Sequence, residues 1–378
     1  MSKKIYITSL HLMHGGVEMA VTALSNALAC RGYEVEILCT YNLGEPAYSL
    51  DNRVKVRYLT DVHPNREAFK QAIRTKNLPA IFREGVYAGR VLRLKKKVLM
   101  KQFRSIREGI IISTRNEDSV LLSRYGNPEV LKIAQLHHDH CFDKKLLRDF
   151  AHHYQNIDIF ALLTDQLQQE AAEIMKDNHH TQVVAVPNFL PDMKTEAAEP
   201  ENQAVAVGRL HPVKGFMRLL RLWKPIFERT GTVLKIIGGG EQQEELEKEI
   251  AALGLEQAVI LTGMLDHDAV LAEMRKSLFY AMTSHSEGLP LVLIEAMGQG
   301  LPAIAYDVRV GPKAVIEDGK SGFLIPENDE KAFAEKAISL ITDKKMRLQL
   351  SDGALKRAEA FSEEKVVEKW EELFQRKV

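Results

Sequence analysis

Two carboxylates, Glu287 and Glu295, stand with seven residues between them in HSEGLPLVLIEAM, His285 to Met297. The first precedes Gly288 and Pro290 in a turn; the second lies in an apolar run that reads as a helix. A carboxylate among Leu293, Ile294, Ala296 and Met297 needs a polar partner or it costs stability. Paired acids suit proton transfer or the gripping of hydroxyl groups, while the plainer reading is one structural acid and one surface acid. Amides of Leu291 and Val292, at the helix start, would point toward any anion beside them. Upstream, VGRLHPVKGF (207–216) sets Arg209 and Lys214 after a predicted strand and around a helix start. That is a natural setting for a diphosphate, against the plainer reading of two solvated cations.

Other stretches carry weaker chemistry. In MHGGVE (13–18), Gly15 and Gly16 permit close backbone approach to a ligand, although no GxGxxG follows and a tight turn explains them equally well. QLHHDHC (135–141) gathers His137, His138, Asp139, His140 and Cys141 at a strand end. Side chains so close in sequence rarely converge on one ion, and no distant CxxC or HxxxH supports them, so no metal is expected. One histidine lining a cleft is the better functional reading; a polar loop is the plain one. AVIEDGKSG (314–322) imitates a P-loop but has Ala314 where the first glycine is required. IIGGGE fits only a tight strand-to-helix turn.

These residues need strand ends to position them, and the chain supplies strands in two series. KKIYITS, EVEILCT, GIIIS (109–113), LKIAQL (131–136), IDIFALLT (157–164) and TQVVAVP (181–187) alternate with helical patterns. AVAVGRL (204–210), VLKIIGGG, AVILTG, LFYAMTS and PAIAY do so again. Near-continuous apolar strands separated by helices mean parallel sheets covered on both faces, with ligands at the carboxyl ends. The series predict an α/β chain of two doubly wound domains: 1–190, a linker at 191–203 (FLPDMKTEAAEPENQ loses periodicity), and 204–357. A terminal segment 358–378 begins its helix at Ser362, with Glu363 and Glu364 favouring the helix dipole.

With 378 residues, two domains are the expected size class. Fifty-one basic residues balance fifty-one acidic ones, which argues against a dedicated nucleic-acid binder. Three cysteines make no disulfide framework, so a reducing compartment is expected. The start MSKKIYITS reads as a first strand rather than a leader, and no apolar run reaches membrane-spanning length. The expected location is the cytoplasm. One local charge feature stands out: nine Lys or Arg between Arg83 and Arg107, with Leu92, Leu99, Phe103 and Ile106 as an apolar stripe. This 83–109 segment reads either as a basic amphipathic helix for an anionic membrane or polymer, or as a solvated helix packed by that stripe.

Taken together, the quoted motifs resemble the family 4 glycosyltransferases. LFYAMTSHSEGLPLVLIEAMGQGLPAIAYDV through GKSGFLIP is similar to the family's E-x7-E region; VGRLHPVKG, AVPNF and GGVE fall in the family order. The resemblance implies the GT-B fold, two Rossmann-like domains facing across a cleft, the first binding acceptor and the second donor. It implies a nucleotide-sugar-dependent hexosyltransferase, usually retaining, with a UDP-sugar donor and no metal or other cofactor. Arg209 and Lys214 would neutralise the diphosphate, and Glu295 would accept from the ribose. Glu287 and Gly288 would hold the donor sugar. Gly15, Gly16 and the Leu291 and Val292 amides would cradle phosphate, Met264 in the TGML turn would face the base, and His137 would stand beside the transferred sugar. The Glu287, His137, Arg209 and Lys214 set would carry catalysis. Gly239, standing where the family usually has an acid, would loosen its turn. The terminal helix would cross back to the first domain. The late YDVRVGPKAVIEDGKSGFLIP looks most like Gram-positive enzymes that decorate capsule, teichoic acid or related surface polymers. The implied acceptor is a glycan, lipid-linked or surface polymer, and association with the inner face of the membrane would be peripheral. A glycoside hydrolase would also use two carboxylates but leaves the Arg209/Lys214 pair without a purpose. A non-catalytic partner subunit, or a transferase acting on a small acceptor, completes the alternatives.

Overall fold

Residues 4–190 and 199–375 are described by a computed structural model. The proposed linker therefore falls mostly on 191–198, outside the described residues. The chain divides into two compact units. One comprises the residues up to Leu162, Leu167–Val186 and Val367 onward; the other comprises Leu163–Gln166 and Pro187–Val366.

In the first unit the strands are β1 (Lys4–Ser9), β2 (Glu34–Tyr41), β3 (Lys55–Thr60), β4 (Ile110–Ser113), β5 (Leu131–Leu136), β6 (Ile159–Leu162) and β7 (Gln182–Ala185). They form one parallel sheet in the order β3-β2-β1-β4-β5-β6-β7. The second unit has β8 (Gln203–Val207), β9 (Val233–Ile237), β10 (Val259–Gly263), β11 (Tyr280–Met282), β12 (Ala303–Asp307) and β13 (Gly322–Pro326). Its sheet runs β10-β9-β8-β11-β12-β13, again parallel. Every residue of β4, β5 and β6 is buried, as strands covered on both faces require. Both sheets reverse their winding once, at β1/β4 and at β8/β11, and such switch points open a crevice at the carboxyl edge.

Two strands lie outside the apolar runs expected from the sequence, β3 and β13, and both are sheet edges. An edge strand is half-exposed, so its residues need not form a continuous apolar run; KVRYLT contains no fully buried position.

The terminal helix is Glu363–Phe374, and Val366 donates its amide to the Ser362 carbonyl at the helix start. From Val367 on it belongs to the first unit, where Glu371 pairs with Arg31 at 2.7 Å and Phe374 meets the Tyr33 ring edge-on.

The basic segment forms the helix Leu78–Ser105, but its stripe differs from the expected one. Leu92 is 62% exposed, Ile106 lies beyond the helix end, and the buried side is Val91, Lys95, Leu99 and Phe103. Lys95 is thus no solvated charge. Its Nζ stands 3.1 Å from Glu117 Oε2 and 3.4 Å from Asp118 Oδ1, and Asp118 is fully buried. Burial pulls the ammonium pKa down, yet Asp118 and Glu117 outweigh it and leave the pKa raised. Removing one partner strands the other charge in the interior. Lys95→Met should cost about 3 kcal/mol in denaturant unfolding. Adding Asp118→Leu should restore most of that loss.

Candidate active site

In the second unit the site residues stand on the two loops that flank the switch point. The loop after β8 carries Arg209 and Lys214, and the loop after β11 carries Glu287. These two loops meet. Lys214 Nζ donates to Glu287 Oε1 at 2.7 Å, and the His285 amide donates to the Val213 carbonyl at 2.7 Å. The Lys214 stem runs over Gly208, where a Cβ would stand 3.6 Å from its methylenes. Arg209 is exposed and makes no ion pair among the described residues.

Several supports hold this junction in place. β8 and β11 share one register pair, Tyr280 with Val205, and beyond it the buried Tyr280 hydroxyl both donates to the Val207 carbonyl and accepts from its amide. Burial, with Glu287 and Glu295 nearby, drives the phenol pKa up and keeps it neutral. Arg218 donates from Nε to the Thr283 carbonyl at 2.6 Å and from Nη2 to the Ser284 carbonyl, and it lies over the Tyr306 ring. Gly215, at φ +68°, lies so close to the Thr283 carbonyl that any Cβ would collide with it. Gly311, at φ +104°, backs the Glu287 loop, and a Cβ there would sit 2.8 Å from Glu287 Cβ.

After this turn, Gly288 leads through Pro290 into the helix Leu291–Gly298, which has no side-chain cap. The amides of Leu291 and Val292 find no acceptor among the described residues, so both donors are open at the helix start. Glu295 lies one turn in, 7% exposed, and burial raises its carboxyl pKa against the pull of the exposed His267, 3.9 Å away. Met264 is 66% exposed and covers the glycine turn, where a Cβ on Gly239 would meet its side chain at 3.1 Å. That turn is not loose. Leu210 donates to the Gly239 carbonyl at 3.0 Å and Gln242 to the Leu210 carbonyl at 3.1 Å, which stitches the turns after β8 and β9 together.

In the first unit, His137 follows the last residue of β5. Burial, with His138 and the Arg115 charge adding to it, pushes its pKa down to about 3. The neighbouring histidines separate by environment: His138 is exposed, whereas His140 is 1% exposed, accepts from the Phe142 amide and stands 2.8 Å from Glu170. Asp139 closes the turn by accepting from the Cys141 amide. Among the described residues no three His, Cys, Asp or Glu side chains gather as metal ligands.

The glycine turn holds a group the sequence reading passed over. A Cβ on Gly15 would collide with the Glu18 carboxylate, which folds back to the helix start, whereas Gly16 is open. Glu18 is 5% exposed and paired with His11 at 3.6 Å and Arg115 at 3.5 Å. Arg115 comes two residues after β4, so this group spans the β1/β4 switch point much as Lys214 and Glu287 span β8/β11. Its signal was visible in GGVE and STRN: a charged residue directly after a predicted strand end or glycine turn.

Known proteins similar to this chain bear on its family and its fold. Residues 192–357 match the model of "Glycosyl transferases group 1". That stretch, less than half of the chain, is similar to a group 1 glycosyltransferase domain. An exopolysaccharide phosphotransferase of Streptomyces coelicolor is 29% identical over 95% of the chain, which spans only 39% of that longer relative. The amylovoran biosynthesis glycosyltransferase AmsD of Erwinia amylovora is 27% identical over 95% of both chains. Among solved structures, S. aureus TarM with Fondaparinux, alpha-GlcNAc-glycerol and UDP superimposes at TM-score 0.77 with 16% identity, covering 98% of this chain and 99% of that one. That likeness is one of fold, two parallel α/β sheets of the GT-B class.

The His137 shift has a definite sign. An unfolded histidine takes its proton near pH 6.5, while the folded one resists until about 3, so stability present above about pH 6.5 is lost progressively down to about pH 3. His137→Gln should flatten that slope in denaturation measured from pH 7 to pH 4, and NMR should find the wild-type ring unprotonated at pH 5.

Proposed function

We propose that the chain is a retaining, nucleotide-sugar-dependent hexosyltransferase that moves a sugar from a UDP-sugar to a glycan, lipid-linked or cell-surface polymer acceptor. The observation that carries this reading is the Lys214–Glu287 contact across β8/β11, beside the two open amides of Leu291 and Val292. A diphosphate seated there would meet Lys214, Arg209 and the helix-start amides together.

In this reading the bond from the anomeric carbon to the diphosphate breaks with its electron pair going to the diphosphate, while an acceptor hydroxyl oxygen bonds to that carbon and its proton passes to the departing diphosphate. Negative charge therefore grows where Lys214 and Arg209 donate, and stabilisation of that kind is worth most where it is already in place. Glu287, held by Lys214, accepts from sugar hydroxyls, with Gly288 leaving room for the ring. Glu295 accepts from the ribose; burial raises its carboxyl pKa, and a hydroxyl pair would supply hydrogen bonds to it. Met264 faces the base. Residues 1–190, with the neutral His137, form the acceptor-binding domain, and residues 204–357 form the donor-binding domain.

No metal or other cofactor enters this scheme, because the cations of the chain itself carry the charge. The partners are the donor, the acceptor and, through 83–109, an anionic membrane at its cytoplasmic face. AmsD, by its name a glycosyltransferase of amylovoran biosynthesis, favours a surface polysaccharide as the acceptor class.

A panel of nucleotide sugars should raise the melting temperature selectively, and turnover should then be followed with the stabilising donor. Lys214→Ala and Arg209→Ala should each slow transfer, by on the order of 2–4 kcal/mol of barrier. Glu295→Ala should mainly weaken donor binding. Full turnover in either cation variant contradicts the diphosphate assignment; vigorous hydrolysis of aryl glycosides without nucleotide contradicts the reaction class. Donor binding with no transfer to any acceptor would favour a partner subunit.

A further inference from the structure

Among the described residues eleven large apolar side chains stand exposed, and six of them fall between Ile73 and Leu92. They lie along a helical hairpin, with Ile73, Leu78 and Phe82 nearest its tip. The helix Arg66–Arg74 packs against Leu78–Ser105 across a turn of Thr75, Lys76 and Asn77, in which Lys76 adopts φ +51° and Asn77 caps the second helix. Ile73 ends one arm and Leu78 begins the other. Leu78 is 74% and Phe82 76% exposed, more than any other large apolar side chain described. Leu78, Phe82 and Val86 recur every four residues, so successive side chains advance only about 40° around the helix and form one strip facing water.

Beyond Val86 the same outer side turns basic. Arg90, Arg93, Lys96, Lys97 and Lys101 are all exposed, and none makes an ion pair among the described residues. Between Gly85 and Arg107 the sequence has no acidic residue. The one acid of the long helix, Glu84, is held by Arg83 and Asn65. An apolar tip followed by an uncompensated basic collar matches an anionic bilayer, whose acyl chains lie beneath negative headgroups. A second copy fits worse, because pairing the same tips would bring two basic collars together. Among the described residues no helix is long and apolar enough to cross a membrane, so the element would lie in the interface.

We propose that Ile73, Leu78, Phe82 and Val86 insert among the acyl chains of an anionic bilayer while the cations from Arg90 to Lys101 lie on its headgroups. This goes beyond surface contact through 83–109, because the most exposed apolar side chains precede Arg83. It requires no transfer activity, so its failure and that of the glycosyl-transfer reading are separable.

The whole protein carrying Phe82→Trp tests it with vesicles of phosphatidylcholine, with and without phosphatidylglycerol. Trp223 and Trp370 are 0% and 1% exposed, so they give a constant background. The new indole should shift to the blue with phosphatidylglycerol vesicles, and the protein should sediment with them. Leu78→Glu with Phe82→Glu should abolish sedimentation while leaving the melting curve unchanged, since both side chains are exposed. Lys96→Glu with Lys97→Glu should cut the preference for phosphatidylglycerol at least about fivefold. Sedimentation without a blue shift means charge adsorption alone and overturns insertion. So does binding that survives the double glutamate variant, or no binding at all. A vesicle-free dimer abolished by the tip substitutions would make the occupant a second copy.

Discussion

Neighbouring strands that wind away in opposite directions leave a crevice at their carboxyl edge, and β8 and β11 are such neighbours. Their ladder gives out after one register pair, so the loops beyond Val207 and Met282 need another tie. The Tyr280 hydroxyl supplies the first, the His285–Val213 backbone bond the second, and the Lys214–Glu287 ion pair closes the mouth. Arg218 fixes the carbonyls of Thr283 and Ser284 from below, so Glu287 emerges from a braced backbone. A pair at 2.7 Å on mobile loops would contribute little; on braced ones it is already placed for a ligand.

The same economy of charge recurs in the first unit. Glu18 sits at a helix start between Arg115 and His11, and Lys95 is buried against Asp118 and Glu117. Both Glu18 and Lys95 have an opposite charge within 4 Å, which limits the desolvation cost. At His137, burial and the nearby Arg115 charge keep the ring neutral instead.

Much of this was legible in the sequence because the local pattern determines it. Continuous apolar runs gave the central strands, and the filter of strand ends put Arg209, Lys214, Glu287 and the histidine run 137–140 just beyond β8, β11 and β5, where the structure has them. What stayed hidden depends on sheet order. Nothing near Lys214 says that the loop after β11 will lie 2.7 Å away, because adjacency of β8 and β11 is a property of the whole winding. Lys95 looked like its neighbours Lys96 and Lys97, since helical phase alone could not tell which cation faced Asp118. Leu92 was assigned to the packed stripe for the same reason. Among the histidines, Glu170 helps to decide: it lies on the distant helix Asp165–Ile174, and its contact, with burial, marks His140 as structural.

The most direct test is amide hydrogen exchange across His285–Gly298 with and without UDP. If the switch point is a diphosphate site, UDP should slow exchange at Leu291 and Val292, the two amides that have no acceptor in the described structure. Saturating UDP that leaves those two amides unchanged would contradict the account.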